Sequence, residues 1–369
     1  MKIGIDARLA FYRPGGIVEY TRHVIQELAA LDQTNEYRVI QHYRHTESLS
    51  STFRRLNTHT PSHHRLEPWS LSIELASHRL DLLHSPDFIP PQHGAHRQII
   101  TVHDLHFLHY PQFMTAGSRR YYNDQIAWAV QRADHILVDS RATQTDLANL
   151  LQVPIEKTTV HMLGVSPAFR SLPDEERQSL RQHVGLPETY ILFVGTFEPR
   201  KNISGLLDAY VLLRHALPDA PPLLLAGRRG WLYNEIFDKV RSLGLQDHVI
   251  WREAPSPDEL LVIYNCAALL ILPSHYEGFG LPILEAMACG IPTIAANRSS
   301  LPEVTGDAGL LVDPDDPAAM AHAMQRLLTD EALRVQLCTR GLARAASFTW
   351  RKTAEIVLQT YQTVLLTES

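Results

Sequence analysis

The sequence predicts an α/β protein of two doubly wound domains, each a parallel sheet covered by helices on both faces. Three observations lead there. Short β-branched or apolar runs alternate with stretches of helical period along nearly all of the 369 residues, the pattern of strands joined by crossover helices. The alternation restarts once, after the proline-containing stretch SPAFRSLPDEERQSLRQHVGLPET at 166–189. Hydrophobic residues make up 45% and charged residues 20% of the chain, enough apolar material for packed cores at a length that suits two domains.

In order along the first half, strands are read at KIGID, YRVIQHY, LDLLHS, RQIITVH, HILVDS and TVHML, with helices that include EYTRHVIQELAAL and RRYYNDQIAWAVQRA. In the second half the strands are YILFVG, PLLLAG, HVIWRE, ALLILPS, IPTIAAN and AGLLVD, and the helices include ISGLLDAYVLLRHAL, NEIFDKVRSLGL and PILEAMACG. The expected boundaries are 1–168 and 175–348, with 166–189 as linker and lead-in and a last helix at about 350–369. The segment 41–68 breaks the pattern. It carries His42, His45, His59, His63, His64, Arg54, Arg55 and Arg65 without periodicity, and reads as a solvated loop or short helix. The sharper alternative is a basic rim for an anionic acceptor or a lipid surface. Its histidines lack the regular spacing of metal ligands.

Composition removes several classes. A formal net charge of −6 argues against nucleic acid as the main partner. Cys266, Cys289 and Cys338 are scattered in apolar surroundings and offer neither a disulfide frame nor zinc spacing. MKIGIDAR reads as a first strand and not as a signal peptide. The apolar run at 261–272 falls short of the roughly 20 residues that span a bilayer. The expectation is a cytoplasmic protein, with peripheral contact at the inner face of a membrane left open.

The chemistry concentrates at strand ends. ALLILPS is followed by HYEGFGLPILEAMACG, where Glu277 and Glu285 bracket Gly278, Phe279, Gly280 and Leu281. Pro282 suits a first helical turn and Gly290 its end. The glycines allow close approach of backbone to a ligand, and the helix N-terminus is an anion seat. Glu285, expected in the first turn, suits ribose hydroxyls, and Glu277 a second polyol; the bland reading is a capped helix with surface glutamates. In ILFVGTFEPRKN, Gly195 makes the turn and Thr196 follows, before Arg200 and Lys201 arrive where open α/β sheets bind ligands. Two cations there could neutralise a diphosphate, or simply be solvated. Arg228 and Arg229 follow the next strand. In the first domain Gly15 and Gly16 precede a helix without forming G-x-G-x-x-G, so a nicotinamide reading is weak. His103 and Asp104 follow a strand, where His103 is either structural or turned to a ligand.

Together these stretches resemble the retaining glycosyltransferases of family 4, with the two-domain GT-B fold. The resemblance runs over most of the chain. Its most specific part is the E-x7-E pattern from Glu277 to Glu285 in EGFGLPILE, supported by GGIVEYTRHVIQEL, TVHD, FVGTFEPRKN, AGRRGW and SSLPEVTGDAGLLVDP. It implies two Rossmann-like domains whose sheets face a central cleft, with the acceptor on the first and a nucleotide-diphosphate sugar on the second. Glu285 would bind the ribose and Glu277 the donor sugar. The amides of Phe279, Gly280 and Leu281 would face the sugar or phosphates, and Lys201 with Arg200 would hold the diphosphate. Gly15 and Gly16 would approach the donor from the first domain, and His103 would sit near the sugar. Many members carry an arginine where Thr196 stands here, which leaves Arg200 as first choice and Arg228 as second for the other diphosphate cation.

The implied reaction moves a hexose, with retention, onto a saccharide or lipid-linked acceptor. GDP-mannose and UDP-glucose both fit as donor, with a lean to mannose. No cofactor or metal is expected. DPDD at 313–316 imitates a metal-binding D-x-D, but its prolines mark a turn and Asp316 suits a helix cap. The rival readings are another GT-B enzyme, such as a nucleotide-sugar epimerase, and a non-catalytic nucleotide-sugar-binding subunit.

Overall fold

The computed structural model describes residues 1–12, 15–114, 116–230 and 233–366. Arg13 and Pro14 of the Gly-Gly stretch, Trp231 of AGRRGW and the terminal Thr367, Glu368 and Ser369 lie outside the described residues. The chain divides into two compact units: Met1–Gly164 with Thr349–Ser369, and Val165–Phe348.

The first unit runs β1 (Lys2–Asp6), α1 (Gly16–Leu31), β2 (Glu36–His42), β3 (Arg54–Thr58), α2 (Glu67–Leu75), β4 (Leu80–Ser85), β5 (Ala95–Val102), α3 (His106–His109), α4 (Ala116–Arg132), β6 (His135–Val138), α5 (Arg141–Leu151) and β7 (Thr158–Val160). The second runs α6 (Asp174–Val184), β8 (Ile191–Val194), α7 (Ile203–Ala216), β9 (Leu223–Gly227), α8 (Asn234–Ser242), β10 (Val249–Glu253), α9 (Pro257–Asn265), β11 (Leu269–Leu272), α10 (Leu281–Ala288), β12 (Thr293–Ala296), α11 (Leu301–Thr305), β13 (Leu310–Val312), α12 (Pro317–Thr329) and α13 (Glu331–Ala345). The chain then returns to the first unit as α14 (Trp350–Leu366).

Among the described residues the first sheet has seven strands in the order β3-β2-β1-β4-β5-β6-β7, and the second six in the order β10-β9-β8-β11-β12-β13. The strand pairings are parallel. The central strands are apolar on both faces, as in Ile191–Val194 and Leu269–Leu272, because helices cover both sides. In each sheet the winding reverses between the first strand and the fourth, at β1/β4 and at β8/β11. Open parallel sheets bind ligands outside the carboxyl ends of strands at such a reversal.

One sequence expectation is revised. The segment 41–68 is not merely loop: it contains the edge strand β3, paired from Arg54 to Thr58 with Arg38 to His42. Its polar sequence RRLNT hid it, since an edge strand needs few apolar residues. The stretch 166–189 belongs to the second unit, where α6 packs against α9. The terminal helix is held in the first unit by stacking of Trp350 on His23, with ring centroids 4.6 Å apart, and by a hydrogen bond from Thr353 Oγ1 to Met162 O at 2.8 Å. No helix of the described residues is long and apolar enough to cross a membrane.

A buried arginine organises the carboxyl end of the first sheet. Arg8, 1% exposed, donates to both oxygens of Asp6 (2.9 and 2.6 Å), to Glu67 Oε1 (2.5 Å) and to Thr60 O (3.0 Å). It therefore ties the end of β1 to the loop after β3 and to the start of α2. Burial alone pushes the Arg8 guanidinium toward neutrality, but Asp6 and Glu67 outweigh it and keep it charged. A buried ion pair that loses one partner leaves an uncompensated charge, at about 3–5 kcal/mol. Arg8→Met is expected to destabilise the first unit by that order, and the double variant Arg8→Met/Glu67→Leu to recover part of the loss. Urea unfolding read by tryptophan fluorescence checks both; equal stability of wild type and Arg8→Met would remove this network from the account.

Candidate active site

At the carboxyl end of the second sheet, the loops after β8 and β11 meet across the winding reversal. The β8 loop is shaped by its neighbour. Phe197 N donates to Arg228 O at 2.8 Å and Gly230 N to Phe197 O at 3.1 Å, so it runs beside the loop after β9. Gly227, at φ 156°, is required there, because a Cβ would stand 1.9 Å from Gly195 O. The chain then makes one tight turn over Pro199–Lys201, and Asn202 caps α7 by accepting from Gly205 N.

That turn delivers two cations to one carboxylate. Lys201 Nζ donates to Glu277 Oε1 at 2.5 Å, and Arg200 Nη1 donates to Glu277 Oε2 at 3.0 Å and to Tyr276 O at 3.1 Å. Ser274 Oγ adds a bond to Glu277 Oε1 at 2.7 Å, and Glu198 Oε1 lies 2.5 Å from Arg200 Nε. Glu277 and Lys201 are only 6% and 7% exposed. Burial pushes the Glu277 carboxyl up, but Lys201 and Arg200 outweigh it and hold the group below its ordinary value. Burial and the Arg200 charge push the Lys201 ammonium down against the pull of Glu277 and Glu198. Two cations and two carboxylates thus form one cluster, fixed by its own ion pairs.

The next four residues follow from how Glu277 is anchored. Its N–H donates to Ser299 Oγ at 2.9 Å, and Ser300 Oγ donates toward the carbonyls of Glu277 (2.8 Å) and Phe279 (2.7 Å). With the carbonyls turned to Ser300, the N–H groups of Gly278, Phe279, Gly280 and Leu281 make no hydrogen bond to another described residue. Gly280, at φ 113°, precedes the first turn of α10, and a Cβ on it would meet Leu301 Cδ2 at 2.6 Å. The result is a short row of open donors at a helix N-terminus beside two cations, a seat for an anion.

Glu285 stands apart from this cluster. It is the fifth residue of α10, just past the first turn where the sequence reading put it, because the helix begins one residue earlier, at Leu281. Its Oε2 accepts from the Tyr264 hydroxyl at 2.5 Å. Burial, and then Glu285, raise the Tyr264 phenol well above its ordinary value, so that phenol stays a donor. Arg228 is exposed on the β9 loop. Arg252, on β10, donates to Val184 O and Gly185 O at the end of α6. Of DPDD, Asp316 caps α12 through Ala319 N at 2.9 Å, while Asp313 and Asp315 accept from Arg298 at 3.1 and 2.7 Å.

Gly15, Gly16 and His103 belong to the first unit. Gly15 precedes α1 in extended backbone, and no described residue lies within 4 Å of a Cβ built on either glycine. His103 follows β5 and reaches both neighbouring strand ends. Its Nε2 is 2.8 Å from Pro86 O after β4, and its Nδ1 is 2.7 Å from Asp139 Oδ2 after β6. A carbonyl accepts only, so Nε2 carries a proton, and the carboxylate takes the one on Nδ1. Burial pushes His103 down, but Asp139 outweighs it and raises the group above its ordinary value. His103 is therefore an imidazolium with both N–H groups engaged.

The sequence reading paired Lys201 with Arg200 but did not join them to Glu277. It missed Asp139, Tyr264 and Ser274 as site residues. Ser299 and Ser300 entered only as part of a supporting motif. The strand-end position of Asp139 in HILVDS was the available signal for it; for Tyr264 there was none.

The chain is similar to known proteins along most of its length. Residues 175–343 match the family model described as glycosyl transferases group 1, and residues 14–169 the model described as glycosyltransferase family 4. The chain is 35% identical over 303 residues to O-antigen chain mannosyltransferase B of Escherichia coli, covering 81% of this chain and 78% of that one. It is 31% identical over 288 residues to the serotype-specific mannosyltransferase WbdA of Escherichia coli, covering 75% of this chain but 35% of that longer one. Among solved structures, sucrose-phosphate synthase from Thermosynechococcus elongatus superposes over 98% of both chains, with a TM-score of 0.79 at 23% identity.

The His103–Asp139 pair has a pH signature. A group whose folded pKa is raised adds stability that is full below its unfolded pKa, about 6.5 for histidine, and fades as pH rises through the folded value. Asp139→Asn is expected to bring the His103 titration below its ordinary value and to flatten this loss of stability above pH 6.5. Histidine-selective NMR titration together with melting curves across pH 6 to 9 reads both. An unchanged His103 midpoint in the variant would refute the pairing.

Proposed function

The chain belongs to glycosyltransferase family 4, and on that premise we propose that it moves a mannosyl residue from GDP-mannose to a saccharide or lipid-linked acceptor with retention of configuration. The observation that carries the reading is the buried Glu277–Lys201–Arg200 cluster at the β8/β11 reversal, beside the open amides of Gly278–Leu281. A diphosphate suits that surface: two cations and a row of N–H donors face one place, already fixed by Glu277 and Ser300. Carboxylates accept from hydroxyls, so Glu277 suits the sugar and Glu285 the ribose, the latter oriented by Tyr264. Mannose is favoured by the relative named as an O-antigen chain mannosyltransferase, which is similar over most of both chains. For Gly15, Gly16 and His103 the donor roles rest on the resemblance alone. The choice of Arg200 over Arg228 as second cation is supported by its place on Glu277.

In the proposed step the bond from the anomeric carbon to the phosphate oxygen breaks as Lys201 and Arg200 take up the developing charge. The acceptor hydroxyl attacks from the same face, and its proton passes to the departing phosphate oxygen. No protein base is needed, and His103, protonated at both nitrogens, would not serve as one. The two side-chain cations supply the positive charge at the diphosphate.

Purified protein given GDP-mannose and a mannose-terminated oligosaccharide is expected to release GDP and form an α-linked product, with and without EDTA. Lys201→Ala is expected to slow single-turnover transfer on the order of a hundredfold, the usual loss when one transition-state contact to a leaving oxygen is removed. A β-linked product would overturn retention, and near-normal transfer by the variant would remove Lys201 from the chemistry. Calorimetry with GDP is expected to show Glu285→Ala weakening binding more than Glu277→Ala; equal losses would contradict the ribose assignment.

A further inference from the structure

Glu198 has no part in the reaction as written above. It stands just before the turn that carries Arg200 and Lys201, and it is 3% exposed. Its Oε1 lies 2.5 Å from Arg200 Nε but makes no hydrogen bond among the described residues. A buried carboxylate oxygen in that state costs stability, and native structures keep few of them. Glu277 in the same cluster differs. One of its oxygens accepts from Lys201 and Ser274, and the other from Arg200. The fold therefore holds the Glu198 charge where it is poorly satisfied.

The backbone keeps it there. Lys201 N donates to Glu198 O at 3.1 Å and closes the turn. Behind the residue, Gly230 N donates to Phe197 O at 3.1 Å. A Cβ on Gly230 would stand 2.8 Å from Phe197 O and 3.2 Å from Glu198 Cβ, so the two loops touch. Glu198 is clamped between the turn and the loop after β9.

The sum of charges gives it a task. Lys201 and Arg200 bring two positive charges, and Glu277 and Glu198 two negative ones. The cluster is neutral. Glu277 is assigned to the donor sugar, which leaves Glu198 opposing whatever anion the cations meet. Its charge reaches Lys201 as well as Arg200. In a buried setting a carboxylate repels a neighbouring anion far more than it does in water. Attraction for the diphosphate that is present throughout a reaction lowers KM without raising kcat, and it delays the departing nucleotide.

We propose that Glu198 is a positioning residue with a second effect: it sets the Arg200 guanidinium by charge, and it opposes the donor's diphosphate so that the nucleoside diphosphate product leaves. The proposal rests on the donor reading above. The amides of Gly278–Leu281 and the two cations attract the anion, and Glu198 limits how tightly it is held.

Calorimetry with GDP, GMP and guanosine tests this without any transfer reaction. Glu198→Gln keeps the shape and removes the charge. It is expected to bind GDP on the order of tenfold more tightly than wild type, to gain less for GMP, and to leave guanosine unchanged. Glu198→Asp, which keeps the charge, is expected to stay close to the wild-type value. Asp238→Asn controls for net charge alone, since Asp238 is an exposed partner of Arg241 on α8, and is expected to bind as wild type. Glu198→Ala carries the same expectation as the glutamine variant and keeps the test open should that variant fail to fold. In steady-state transfer, GDP is expected to inhibit Glu198→Gln more strongly than wild type. Equal or weaker GDP binding by a folded charge-removing variant, or an equal gain for guanosine, would overturn the proposal alone. A wild-type protein that binds neither GDP nor UDP would overturn the donor reading and this proposal with it.

Discussion

The second unit is built around one buried carboxylate. Glu277 reaches the end of β11 with almost no solvent to hydrate it, so it must find partners inside. It finds Lys201 and Arg200, which the β8 loop brings across the winding reversal, and Ser274 from its own loop. The arrangement fixes the lysine, the arginine and the turn that follows Glu277 in one stroke. Because each oxygen of Glu277 already has a donor, the cations are fixed by their own ion pairs, and little reorganisation is left for the moment of reaction. The open amides of Gly278–Leu281 are a consequence of the same anchoring, through Ser299 and Ser300.

The first unit meets the same geometry with different chemistry. Its sheet reverses between β1 and β4, and charged groups again gather at the strand ends. Here Arg8 is the buried centre, held by Asp6 and Glu67, and His103 bridges the ends of β4 and β6 through Pro86 O and Asp139. Neighbouring histidines behave otherwise. His84, fully buried between Tyr361 and Thr101, is pushed down to about 3 by burial and by the charges of His161 and His103, and so is neutral. One histidine charged and another neutral a strand apart is set by Asp139, which only His103 meets at hydrogen-bond distance; His161 is 3.6 Å from it. The Arg8–Glu67 pair also ties α2 to the strand ends.

The sequence alone determined the class of the fold, the succession of most strands and helices along the chain, and which residues carry charge at strand ends. These are local properties: a side chain's period along the chain reports how many faces of its element are buried, and glycine and proline mark turns wherever they stand. The second unit's strands could be read for that reason. β3 could not, since RRLNT at a sheet edge carries no apolar period. Only the tertiary structure decided the pairings. Lys201 meets Glu277 across 76 positions, Arg8 meets Glu67 across 59, and His103 meets Asp139 across 36. Each depends on which strands lie side by side, and periodicity does not encode strand order.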